Sequence, residues 1–262
     1  MSKKSKSQPA RFLQIALFAI AVLSGIFLHS KTPLINFLIG LILFGIVIYF
    51  HKTEFALFGP CLFFLMVYLT GFLPFATLGV SLIIPLILYL ALMMFYRRLK
   101  EKSFFIKIGK TDSFTWLIGL AIVLVSSLTL YFWAKITDPN LNDLLSIMPR
   151  AGLGTLLLFG IIFAIVNSIV EESIYRGILY DSLGHLFKSR PLVLLIQAAV
   201  FGLAHFSRGF PRGAIGVTLA FIYGIMLGIV RDRTKGLLAP IIFHIAADFT
   251  IFLILLGLLG KL

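Results

Sequence analysis

Two adjacent carboxylates, Glu171 and Glu172, interrupt the apolar run Ala164 to Tyr180 (AIVNSIVEESIYRGILY), and Arg176 follows four residues after the second acid. A carboxylate near the centre of a membrane helix costs about 2.5–3.5 kcal/mol even on lenient insertion scales. Two in succession therefore mark a site that faces a protein interior or a wet cavity. On a helix, Glu172 and Arg176 share a face in the favourable acid-first order. That spacing predicts an internal ion pair that makes burial tolerable. Glu171 points about 100° away, on the face carrying Asn167 and Tyr175, and is the acid left free for chemistry. The competing interpretation is that both acids pair with basic groups and only hold helices together.

Groups able to work with Glu171 lie further along the chain. His205 ends the run AAVFGLAHF, with Phe201 four residues before it, and His244 sits in APIIFHIAADF with Asp248 four residues later on the same helical face. His29, His51 and His185 fall at run ends or in a polar turn and are ordinary. Of the ten acids, the long apolar runs contain only Glu171, Glu172 and Asp248. A lone histidine in such a run is usually a helix–helix hydrogen-bonding group; two of them beside three acids make a constellation. It can hydrolyse a peptide bond, since a desolvated Glu activates water and a buried His donates to the developing oxyanion. Glu171, His205 and His244 are also enough ligands for a catalytic zinc with one open position, although no HExxH is present. A third chemistry is a proton relay through Glu171, His205, His244 and Asp248 in a membrane transporter. A fourth possibility is a membrane scaffold or immunity-type partner whose polar groups merely join helices.

The elements that position these residues follow from composition. The 262 residues are 60% hydrophobic and only 13% charged, far from the balance of a soluble domain. Repeated apolar runs predict an all-α, polytopic membrane bundle of about eight or nine transmembrane helices, near 12–29, 33–50, 55–73, 77–95, 115–134, 153–178, 191–206, 213–230 and 237–259. The seventh run is short, and Gly209 and Pro211 after it predict a helix that stops within the membrane. Three segments are expected: a basic tail over 1–11, transmembrane helices over 12–114, and a catalytic transmembrane domain over 115–262. The single cysteine, Cys61, excludes an intrachain disulfide and a cysteine-rich metal site. The net charge of +13 sits in short gaps between runs, which argues for topology and against a nucleic-acid partner. With the N-terminus cytoplasmic, 17 of the 23 Lys and Arg fall on the cytoplasmic side, as the positive-inside rule requires. The turn between the sixth and seventh runs centres near Lys188, midway between Glu171 and His205. An antiparallel hairpin there places these two side chains at one level, each roughly 25 Å from the turn.

The three motifs together resemble a known family. EESIYR at Glu171–Arg176 is similar to the EExxxR motif of the CPBP intramembrane proteases, the type II CAAX prenyl endopeptidases and bacteriocin-processing (Abi-like) enzymes. Phe201–His205 resembles their FxxxH motif and His244–Asp248 their HxxxN/D motif. The resemblance covers roughly residues 115–259. It implies an intramembrane catalytic cavity in which Glu171 and His205 activate water while His244 and Asp248 stabilise or orient at the oxyanion, with Glu172 and Arg176 in support. Family members more often carry Asn where Asp248 stands; an Asp has no amide donor, so here it would orient His244. The implied enzyme is an endopeptidase of the bacterial plasma membrane. It would act on a membrane-associated peptide or lipidated protein, in contact with membrane lipid and without nucleic acid. No cofactor is expected in the metal-free version, and zinc in the other.

Overall fold

The computed structural model describes residues 8–29, 31–73, 78–102, 107–137, 139, 148–206 and 210–258. The described residues are helical with no strand. In chain order the helices are α1 (Gln8–Phe27), α2 (Pro33–Thr53), α3 (Phe55–Thr70), α4 (Leu78–Phe95), α5 (Arg97–Lys102), α6 (Ser113–Thr137) and α7 (Leu153–Glu172). A π-helical segment, π1 (Ser173–Leu179), continues α7 into α8 (Tyr180–Leu186). Then come α9 (Arg190–Ala204), α10 (Gly213–Thr234) and α11 (Leu238–Leu258). Six helices are long and apolar enough to cross a membrane, and α3, α4 and α9 are shorter apolar helices. Together these nine correspond to the nine apolar runs. The bundle turns large apolar side chains outward, among them Phe12, Leu34, Phe37, Leu117 and Ile136. Only a hydrocarbon surround makes such a surface favourable. The protein is an integral membrane protein.

Three details depart from the sequence expectation. First, the basic tail does not run to residue 11. α1 begins at Gln8, and Arg11 donates from Nη2 to the Leu186 carbonyl at 2.7 Å; residues 1–7 lie outside the described residues. Second, the acid-bearing run is not one continuous α-helix, since π1 begins directly after Glu172. Third, His205 stands one residue past the end of α9, with φ −85° and ψ 0°. The run expected over 191–206 thus ends as a helix at Ala204, and Gly209, one residue read as stopping it, lies outside the described residues.

Packing divides the helices by partner. α3 packs on α1, α2 and α4, and α11 packs on α6, α7 and α10. The α9–α10 pair packs closely, because Gly224 and Gly228 leave room for Ala198 and Gln197 to approach the α10 backbone. Gln197 uses that approach to donate to the Gly224 carbonyl at 2.9 Å. One core joins both halves of the chain. Phe18, Phe64 and Tyr89 belong to the same buried cluster as Ile174, Ile178, Leu183 and Phe201.

Contacts sort the helix ends into two sets. On one side Arg11 meets Leu186, Arg98 lies over the Phe55 ring at 4.0 Å, and the 107–110 segment pairs with the α10–α11 turn. Leu237 N donates there to Lys107 O at 2.8 Å, and Lys110 N to Thr234 O at 2.9 Å. The pairing demands glycine at two positions. Gly109 has φ +90°, and its backbone and that of Gly236 lie too close for either to carry a Cβ. On the other side His29 stacks on Tyr68, and Trp133 meets Phe210 edge-on. This is the grouping that the alternating threading of nine runs requires.

Candidate active site

The site is assembled by α7, π1, α9, α10 and α11. Glu172 closes α7 and is fully buried, as is Arg176 one turn on; Arg176 Nη1 donates to Glu172 Oε1 at 2.8 Å. The pair expected from the i, i+4 spacing is present despite the change of helical register between its members. The same Glu172 oxygen also faces His244 Nδ1 at 2.7 Å. Glu172 is therefore a bridge between π1 and α11, a contact that the spacing of the motifs did not reveal.

His244 is held on both sides of its ring. Its Nε2 points toward Glu171 Oε2 at 3.7 Å and toward Asp248 Oδ1 at 3.5 Å. Asp248 is itself fixed by α7: its Oδ2 accepts from Asn167 Nδ2 at 3.1 Å and from Ser168 Oγ at 3.0 Å. The carboxylate at hydrogen-bond distance from a ring nitrogen of His244 is that of Glu172, on Nδ1. Asp248 stands beside Nε2 instead. Asn167 was legible as a neighbour of Glu171 on one helix face; Ser168, four residues before Glu172, carried no signal of its own.

Phe201 packs between the two histidines. Its ring lies 4.8 Å from that of His205 and 6.2 Å from that of His244. Arg176 covers the same ring at 4.3 Å, and Tyr175 meets it edge-on. His205 Nδ1 lies 3.0 Å from the Phe201 carbonyl, where it can only donate. That bond places a proton on Nδ1, which leaves Nε2 of the neutral ring as an acceptor toward the cavity. Tyr223 on α10 packs its ring against His244 and donates to the Phe243 carbonyl at 3.2 Å. No motif pointed to Tyr223.

Glu171, His205, His244 and Asp248 all line one cavity of about 810 Å³. Its other walls are mostly aliphatic and aromatic, supplied by α4, α6, α7, α10 and α11, with Asn167 and Tyr223 beside the acids. Glu171 keeps its side chain 15% exposed, against 0% for Glu172. The two acids are thus divided as their spacing predicts, one locked and one open to the cavity. Among the described residues no three His, Cys, Asp or Glu side chains are grouped so as to hold a metal ion. Glu171, His205 and His244 line the same cavity without forming a ligand triangle.

Residues 153–250 match the family model described as type II CAAX prenyl endopeptidase, Rce1-like. The matched segment contains Glu171, Glu172, Arg176, His205, His244 and Asp248, and it is the family to which the three motifs pointed. No curated protein and no solved structure matches the chain.

Proposed function

We propose, from the premise that residues 153–250 are of the Rce1-like type II CAAX prenyl endopeptidase kind, that this integral membrane protein is an intramembrane endopeptidase. It cleaves a peptide bond of a membrane-associated peptide or lipidated protein. One observation carries the reading: a carboxylate and two imidazoles open onto one apolar-walled cavity, while a second carboxylate fixes one imidazole from behind. A protein-walled cavity admits water to the bilayer interior, and its apolar walls suit a lipid chain or apolar side chains flanking the scissile bond.

In the reaction, Glu171 Oε2 takes a proton from a water whose position His205 helps to set. The water oxygen attacks the carbonyl carbon, and the carbonyl π electrons move to oxygen. His244 Nε2–H meets the resulting oxyanion. Because Nδ1 donates to Glu172, an Nε2–H requires the doubly protonated ring, and the Glu172 carboxylate balances its charge. Collapse of the intermediate breaks the C–N bond, and Glu171 returns its proton to the leaving amine. Asp248, held by two donors from α7, keeps the imidazole ring in place from the Nε2 side.

The reaction is read here in a metal-free version, with a zinc held by Glu171, His205 and His244 as the alternative. Exhaustive chelation is expected to leave turnover unchanged, and elemental analysis of active protein to find far less than one zinc per chain. Parallel loss of activity and zinc in His205→Ala and His244→Ala overturns that version. The class of reaction is tested with purified protein in lipid nanodiscs and a quenched fluorescent farnesylated CAAX-type peptide. Wild type is expected to cleave it and Glu171→Gln to leave it intact. Proton-coupled uptake in proteoliposomes without cleavage would support the transporter reading instead.

A further inference from the structure

Arg231 lies outside all three motifs, yet it is only 5% exposed and reaches the back of the site. In an α-helix the Tyr180 amide would bond to the Arg176 carbonyl. Here it bonds to the Tyr175 and Gly177 oxygens. Arg231, arriving from α10, donates from Nε to the Arg176 carbonyl at 3.1 Å and from Nη2 to Asp181 Oδ1 at 3.1 Å. Its guanidinium also lies 5.7 Å over the Tyr180 ring. One planar fork thus grips π1 by its backbone and α8 by its carboxylate, a geometry that a lysine ammonium cannot reproduce.

The residue whose carbonyl is held is the one whose guanidinium holds Glu172, and Glu172 in turn holds His244 Nδ1. A continuous chain therefore runs from Asp181 through Arg231, Arg176 and Glu172 to His244. We infer that Arg231 is a positioning residue: by fixing the π register at Arg176 it sets where Glu172 presents its oxygen, and so the pose of His244 in the cavity. The inference rests on the endopeptidase reading for its kinetic consequence but not for the linkage itself.

The test compares Arg231→Lys with Asp181→Asn in full-length protein in nanodiscs. Arg231→Lys keeps a cation beside Asp181 but loses the fork. Asp181→Asn keeps the Arg231 fork and gives up only the charge of its partner. With the farnesylated peptide, Arg231→Lys is expected to lower kcat by about 10–100-fold at unchanged KM, the range for groups that orient a functional side chain. Asp181→Asn is expected to stay within about threefold on that scale. Independently of activity, imidazole ¹⁵N spectra of histidine-labelled protein, assigned with His244→Ala, are expected to show the His244 signals moved by Arg231→Lys and left in place by Asp181→Asn. Should Arg231→Lys fail to fold, Arg231→Gln, which cannot reach the Arg176 carbonyl and Asp181 at once, takes its place; its His244 signals are likewise expected to move, and signals left in place overturn the inference. His244 signals unmoved in Arg231→Lys, or moved equally by Asp181→Asn, reduce Arg231 to an ordinary ion pair and overturn the inference. A wild-type protein that does not cleave the peptide defeats the functional reading alone, because the spectra still decide the linkage.

Discussion

Glu172 Oε1 receives both the Arg176 guanidinium and the His244 imidazole, while its Oε2 has no hydrogen-bond partner among the described residues. Removing either charge of this fully buried pair strands the other. Arg176→Ala is accordingly expected to cost about 3–5 kcal/mol, seen as loss of folded protein in size-exclusion profiles along with activity. Glu171 has no such structural duty. Glu171→Gln is expected to keep the wild-type melting temperature and to lower kcat by roughly 10²–10⁴-fold, the range for a lost general base; near-normal turnover would remove Glu171 from its role. Asp248 offers a finer discrimination. In Asp248→Asn the amide oxygen still accepts from Asn167 and Ser168, and the new NH₂ turns toward the cavity, where it can donate to the oxyanion. That variant is expected to retain substantial turnover, whereas Asp248→Ala frees both α7 donors and loses most of it. Equal losses in the two variants would show that the charge at Asp248, and not its anchoring, is what turnover needs. The acids, the histidines and the Glu172–Arg176 pair were all legible in the sequence, because charge inside an apolar run is costly and i, i+4 spacing is local. The Glu172–His244 bond was not, since 72 residues separate its partners and no spacing rule relates them.

At the scale of elements, the nine apolar runs became helices because each run is long, apolar and bounded by polar or turn residues. The π segment stayed hidden for a different reason. SIYRGIL has no proline and no unusual composition, and what distinguishes it is a backbone carbonyl taken by Arg231 from another helix. Local pattern cannot register a donor that arrives through tertiary packing. The charged residues near α10's end were likewise readable only as topogenic, yet Arg233 also does structural work. It donates to Asp112 Oδ2 at 2.6 Å and to Thr115 Oγ1 at 3.0 Å. Asp112 in turn caps α6, accepting from the Thr115 amide at 2.8 Å and from its hydroxyl at 2.6 Å. These bonds from Thr115, with Arg233 adding to them, hold the Asp112 carboxyl down at about 2. A folded-state value below the ordinary 3.8 means the cap contributes fully above the ordinary value and is lost as pH falls through about 2. Asp112→Ala is therefore expected to melt below wild type at pH 6, with the gap narrowing as pH falls from 4 and closing near 2. A gap that does not change with pH would show that the carboxylate charge is not what holds this end of α6.

For the whole molecule, the bundle sorts its helix ends into two sets, and the net charge of +13 distinguishes them. The set containing Arg11, the 107–110 segment, Leu186 and the α10–α11 turn also carries most of the basic residues, among them Lys52, Arg97, Arg98, Lys107, Lys110, Arg190, Arg231, Arg233 and Lys235. We propose that this set is cytoplasmic, since basic flanks resist translocation, which places the N-terminus inside. Lys110 and Arg150 are exposed and fall in opposite sets. The native thiol, Cys61, is buried in α3, so Cys61→Ser provides a silent background for labelling. In that background an impermeant maleimide added to intact cells is expected to modify Arg150→Cys but not Lys110→Cys, and to reach Lys110→Cys once the membrane is opened. The opposite pattern would invert the protein in the membrane without disturbing any contact within it, because those contacts fix which ends lie together and only the charges decide which set faces the cytoplasm. The same inversion would carry Arg212, a wall residue of the cavity at the start of α10, to the cytoplasmic side.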